Sequence, residues 1–131
     1  MSDVLTLDDV RLGGKVVLYR VDVNSPLEPS SGAFLDDSRL RAIIPTLRTL
    51  QNSKVVMLGH QSRPGKIDFT NMEQHADRIS RLIGKKVKFI SDICGDEAIS
   101  SIKNLKIGEM LFLDNIRMHE DENSMKKASL E

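Results

Sequence analysis

The stretch KVVLYRVDVNSPL, residues 15–27, decides the fold. Val16 to Tyr19 form an unbroken apolar run, which reads as a strand covered on both faces. Arg20, Asp22 and Asn24 then alternate with valines. Residues two apart on a strand share a face. A cation, a carboxylate and an amide therefore gather on one side, where the strand should stop. Three further apolar runs repeat the pattern: Val55 to Leu58, Val87 to Ile90 and Met110 to Leu113.

Helical patterns lie between the runs. Ser38 to Gln51 carries Leu40, Ile43, Ile44, Leu47 and Leu50 on one stripe, with Asp36, Asp37 and Ser38 as N-cap candidates. Pro45 predicts a kink or a tight first turn inside it. Thr70 and Glu73 have capping-box spacing for a second helix, and Gly84 marks its end. His75 is expected on the surface of that helix. A short third helix is expected over 96–104. Strand and helix alternate, which predicts an α/β domain with a mostly parallel sheet. Leu12-Gly13-Gly14-Lys15 precedes a strand, so it reads as a turn rather than a phosphate loop.

The bulk composition narrows the functional classes. Among 131 residues, Lys+Arg and Asp+Glu both number 19, so no global field recruits nucleic acid or an anionic membrane. Aromatics are 4% without tryptophan, which argues against base stacking. No apolar run approaches the roughly 20 residues of a membrane span. The acidic start lacks a signal-peptide core, and the single Cys94 fits a reducing cytoplasm. Cys94 has no CxxC partner and is read as a small packed residue rather than a nucleophile, with partial exposure left open by its segment bounded by Gly95. His119 to Glu122 lacks metal-site spacing. The last residues, SMKKASLE from 124, read as the opening of a helix with no strand after it. The expectation is a piece of a longer domain, with a frayed tail as the other reading.

Ligands of open α/β folds sit beyond the carboxyl ends of the strands. The four runs are followed there by Arg20-Val21-Asp22-Val23-Asn24, by Gly59-His60-Gln61-Ser62-Arg63, by Ser91-Asp92-Ile93-Cys94-Gly95 and by Asp114-Asn115-Ile116-Arg117. Three of these four ends deliver a cation. Arg39 adds another in the first turn of its helix, where the dipole disfavours it, so either Asp36 or Asp37 compensates or Arg39 has a task. Arg20, in turn, either pairs with a carboxylate such as Asp22 or serves a site. Together Arg20, Arg39, His60, Arg63 and Arg117 predict a compact cationic rim suited to a small phosphorylated or carboxylated anion. Asp22 and Asn24 add partners for substrate hydroxyls.

Four motifs, in this order, resemble the phosphoglycerate kinase family. RVDVN resembles its RVDFN, DDSRLRAIIPTL its DDxRIRAxxPTI, GHQSRP its SHLGRP, and LFLDNIRMHEDE its LLLENLRFHxEE. GHQSRPG with DFTNMEQHA looks most like the archaeal branch. The resemblance implies a three-layer α/β/α Rossmann-like domain, cut short: residues 1–131 as an incomplete N-terminal, 3-phosphoglycerate-binding domain without the nucleotide-binding domain. It implies a cytoplasmic, glycolytic transfer of a phosphoryl group between 1,3-bisphosphoglycerate and ADP, with Mg²⁺ and ATP or ADP held by the missing domain and no cofactor in this chain. By the same resemblance Asp22, Val23 and Asn24 meet the glycerate. Arg39 stabilises the phosphoryl group in flight, free of an ion pair of its own. His60, Gln61, Ser62, Arg63 and Arg117 cradle the 3-phosphate, and Arg20 supports them. Departures are Val23 and Met118 for phenylalanine, and Gln61-Ser62 for Leu-Gly. The isolated chain is expected to be inactive, and either to self-associate through its incomplete sheet or to be of low stability. The alternative is a free-standing, non-catalytic module for small phosphorylated anions.

Overall fold

A computed structural model describes residues 5–7 and 10–119. The helix expected from residue 124 lies outside the described residues. Four strands form one parallel sheet: β1 (Val16–Arg20), β2 (Lys54–Leu58), β3 (Val87–Ile90) and β4 (Met110–Leu113). Their order is β1-β2-β4-β3, so β1 and β3 are the edges. Parallel neighbours require long crossovers, and helices supply them.

The helix pattern over 38–51 divides at Ile43 into α1 (Ser38–Ala42) and α2 (Ile44–Thr49), with Pro45 in the first turn of α2. A proline there lacks only a donor that the helix could not use. The second helix is α3 (Glu73–Ile83), stopped by Gly84 at φ 75°. That left-handed angle suits glycine. The capping box over Thr70 and Glu73 does not form: α3 starts at Glu73, whose N–H donates to Asn71 Oδ1 at 3.0 Å. Met72 N–H is taken by Asp114 Oδ1 at 3.3 Å. The chain enters through an Asx turn instead. The third helix is α4 (Asp96–Lys103). No helix among the described residues is long and apolar enough to cross a membrane.

Side chains alternate across the sheet and build a core on each face. Val55, Met57, Met110 and Phe112 pack with Leu40, Leu47, Ala76 and Ile79 from α1, α2 and α3. Val56, Leu111, Leu113 and Ile90 pack with Ala98 and Leu105, around α4. The architecture is thus helices, sheet, helix. β1 departs from the expected two-sided burial. Val17 and Tyr19 pack on the first core, but Val16 and Leu18 on the other face are 52% and 66% exposed. β1 is an edge strand, and the α4 layer lies over β3 and β4.

His75 is the clearest correction. It is wholly buried, not on the helix surface. Met72, Ala76 and Ile79 are buried on the same stripe, and His75 occupies the i+3 place on it. The stripe accepts an imidazole because Gln61 Oε1 meets His75 Nε2 at 2.9 Å and Phe34 packs edge-on at 5.0 Å. Burial with no charged partner holds its pKa down, from 6.5 to about 4. Cys94 is also corrected: it is exposed. It borders a groove of about 420 Å³ with Asp92, Gly95 and Asp114. The loop is shaped by Asp92, whose carboxylate accepts from Ile93 N–H and Ala98 N–H, each at 2.9 Å, and so caps α4. Those bonds hold the Asp92 carboxyl below its usual range.

Candidate functional site

β1 is continued by one bond, Val21 N–H to Leu58 O at 2.9 Å. Val21 and Val23 then bury in the first core. Their burial turns Asp22 and Asn24 the other way, as the alternation predicts. The Val23 side chain therefore does not reach the surface. Asp22 Oδ1 accepts from Arg39 Nη1 at 2.9 Å, with side chains 73% and 53% exposed. Neither Asp36 nor Asp37 pairs with Arg39. Asp36 takes Ser38 N–H at 2.8 Å, while Asp37 pairs with Arg41 at 2.8 Å and Arg78 at 3.0 Å. The latter pairs hold the Asp37 carboxyl below its usual range, Arg41 foremost. Arg39 thus has an ion pair after all, contrary to expectation. An exposed pair contributes no more than about 1 kcal/mol, so an incoming anion can displace it.

The turn after β2 is held from both sides. Asn24 Oδ1 accepts Ser62 N–H at 2.7 Å, and Arg117 Nη1 donates to Ser62 O at 2.9 Å. Ser62 sits at φ 59°, a left-handed angle that costs about 1–2 kcal/mol without glycine. The family motif has glycine at this place, so the two bonds hold a conformation that the serine resists. At the start of the turn, Gly59 lies against β1. A Cβ there would meet Val21 O at 2.9 Å. His60 follows, half-buried, and Arg63 leads out exposed. The Arg63 guanidinium makes no hydrogen bond or ion pair within the described residues.

Gln61 does not line the surface. It is fully buried and faces inward. Its Oε1 accepts Ser25 N–H at 3.0 Å and its Nε2 donates to Ser25 O at 2.8 Å. Asn115, also fully buried, joins the β4 end to the same turn. Its Nδ2 donates to Gln61 O at 2.9 Å and to Thr70 O at 2.8 Å, while its Oδ1 accepts Arg117 N–H at 3.0 Å. Asn115 thereby starts the 3-10 turn Ile116–Met118 that carries Arg117. Arg20, the last residue of β1, is exposed on the sheet face of Val16 and Leu18.

The structure thus brings two groups together: Asp22 with Arg39, and Asn24 with Ser62 and Arg117. The signal for Asn115 was present in its place after a strand. His75 had only its spacing from Met72. Among the described residues no group of three His, Cys, Asp or Glu side chains could hold a metal ion. The Mg²⁺ that the family resemblance implies therefore has no fitting donor set among them.

A family model described as phosphoglycerate kinase matches residues 7–131. The phosphoglycerate kinase of Methanocorpusculum labreanum is 46% identical over 122 residues, 93% of this chain and 30% of that protein. That of Archaeoglobus fulgidus is 45% identical over 123 residues, 94% of this chain and 30% of its own length. The crystal structure of phosphoglycerate kinase from Pyrococcus horikoshii OT3 superposes with a TM-score of 0.88 at 36% identity, covering 97% of this chain and 33% of that one. The chain therefore spans about a third of the length of the relatives it matches. With sequence and fold alike agreeing over nearly all its residues, the chain belongs to the phosphoglycerate kinase family.

Proposed function

We propose that this chain is the phosphoglycerate-binding part of a phosphotransferase that moves a phosphoryl group between 1,3-bisphosphoglycerate and ADP, giving 3-phosphoglycerate and ATP. In that direction an oxygen of the ADP β-phosphate attacks the acyl phosphorus, and the acyl-phosphate P–O bond breaks. The substrate leaves as a carboxylate, which needs no proton, so no general acid is required. Catalysis of this kind is positioning and charge neutralisation. Nucleotide and Mg²⁺ would be held by residues beyond those of this chain. The reading implies a place in glycolysis and gluconeogenesis, and in the cytoplasm.

The observation that carries the reading is the Ser62 turn, fixed by Asn24 and Arg117 and leading straight into Arg63, whose guanidinium has no partner among the described residues. A fixed turn that ends in an exposed guanidinium suits a phosphate dianion. In this reading His60, Arg63 and Arg117 surround the 3-phosphate. Asp22 and Asn24 face the glycerate, and Arg39 leaves Asp22 for the phosphoryl group. Titration of 3-phosphoglycerate into the chain, followed by NMR, should give saturable and salt-sensitive binding. Arg63→Ala should weaken it about tenfold or more, the loss of one charge-assisted hydrogen bond. Binding that stays at full strength in Arg63→Ala, or that never saturates at millimolar ligand, would overturn the reading.

A further inference from the structure

The buried Gln61 amide has only one possible orientation. Ser25 N–H can only donate, so its partner at 3.0 Å is Gln61 Oε1. Ser25 O can only accept, so its partner at 2.8 Å is Gln61 Nε2. The atom facing His75 Nε2 at 2.9 Å is the same Oε1. Oε1 is an acceptor, so His75 must carry its hydrogen on Nε2. The other nitrogen, Nδ1, is then bare, and it is buried without a partner. One unpaired buried acceptor costs about 1–3 kcal/mol. An aliphatic pair would fill this space without that cost.

The position of the clamp suggests what offsets the cost. Ser25 is the residue after Asn24, and Gln61 is the residue before Ser62. The amide therefore locks the β1 and β2 ends together immediately beside the Asn24–Ser62 bond. The Gln61 carbonyl is held in turn by Asn115, which starts the turn bearing Arg117. The Asn24–Ser62 bond and the turn bearing Arg117 are thus both tied to Gln61, beside a separate backbone tie from Ile116 N–H to Gly59 O at 3.0 Å. His75 holds the Gln61 amide at Oε1.

We propose that Gln61 and His75 are positioning residues for the substrate's phosphorylated end, with His75 aligning the Gln61 amide and Gln61 setting the spacing of Asn24 from the Ser62–Arg63 turn. Neither side chain touches ligand. The proposal rests on the phosphoglycerate-binding reading above. A merely structural pair would lower stability and leave the affinity of the folded fraction intact.

The test is the affinity for 3-phosphoglycerate of the wild-type chain, Gln61→Leu, His75→Leu and His75→Gln, measured by NMR where each is folded by its urea transition. The His75→Gln side chain can return an amide N–H to Gln61 Oε1. Affinity should fall about tenfold in both leucine variants and recover in His75→Gln. Equal affinity in all four would overturn the positioning role while the binding reading stands. Absence of binding by the wild-type chain would overturn the binding reading, and the proposal with it. Should the leucine variants not fold, the wild-type chain still decides. Saturating ligand should shift the Gln61 side-chain amide and His75 Nε2–H resonances, and unmoved resonances would count against the proposal.

Discussion

Asn115→Leu should cost about 4 kcal/mol of stability, read as a urea midpoint lowered by about 2 M. The leucine fills the space but makes none of the three bonds. Gln61 O and Thr70 O lose the Nδ2 donor, and Arg117 N–H loses its acceptor. A buried group left without a partner costs about 1–3 kcal/mol, and here several are stranded at once. Against a typical domain stability of about 5–15 kcal/mol this is severe. Loss of ligand affinity should accompany it, because the 3-10 turn holding Arg117 is anchored by the same side chain. A midpoint within about 0.5 M of the wild type, with an unchanged slope, would show that water satisfies these groups.

Acid should weaken the protein well before its carboxylates protonate. His75 titrates at about 4 in the folded chain against 6.5 when free of burial. Between these values the unfolded chain binds the extra proton and the folded chain does not. Stability therefore falls as pH falls through that window, by about 3 kcal/mol in total. The depressed carboxyls of Asp37, Asp92 and Glu28, the last held at about 2 by Ser30 and Ser31, act with the same sign at lower pH. Their contribution is present above their unfolded values and is lost as pH drops through the folded ones. Urea transitions at pH 7 and pH 4.5 should show the loss in the wild type and most of it removed in His75→Gln. An equal drop in both proteins would assign the acid sensitivity to other groups.

Much of this was legible because local and global demands agree. The bounds of β3 and β4 coincide with their apolar runs, and Pro45 and Gly84 divide the helices as their backbone chemistry requires. The alternation in RVDVN survives just beyond the strand, because Val21 and Val23 anchor it in the core. Legibility stops where a polar residue spends its chemistry inward. Gln61 stands between two residues of a cationic turn, so its place in the chain suggests solvent or ligand, yet its partner is a backbone 36 residues away. His75 has the spacing of a core residue and the chemistry of a surface one. Only the acceptor supplied by Gln61 decides between them, and no local pattern records it. The partner of Arg39 likewise lay across the fold, at Asp22, while the nearer Asp36 and Asp37 were engaged elsewhere.

The strand order carries a constraint in time. β4 is the last of the four to be synthesised, yet it lies between β2 and β3. Among the described residues β3 has no neighbour in the sheet except β4, and that ladder must wait for residues 110–113. β1 and β2 can meet early, since their contact needs only the first 58 residues. A nascent chain shorter than about 110 residues therefore holds a two-stranded ribbon with both edges open, which is marginal alone. Closure should come as one late event, and pulse-labelled hydrogen exchange should find β3 and β4 gaining protection together. Protection of β3 ahead of β4 would contradict that order. The penultimate strand thus spends its early life as an unpaired segment, exposed to whatever else can pair with it.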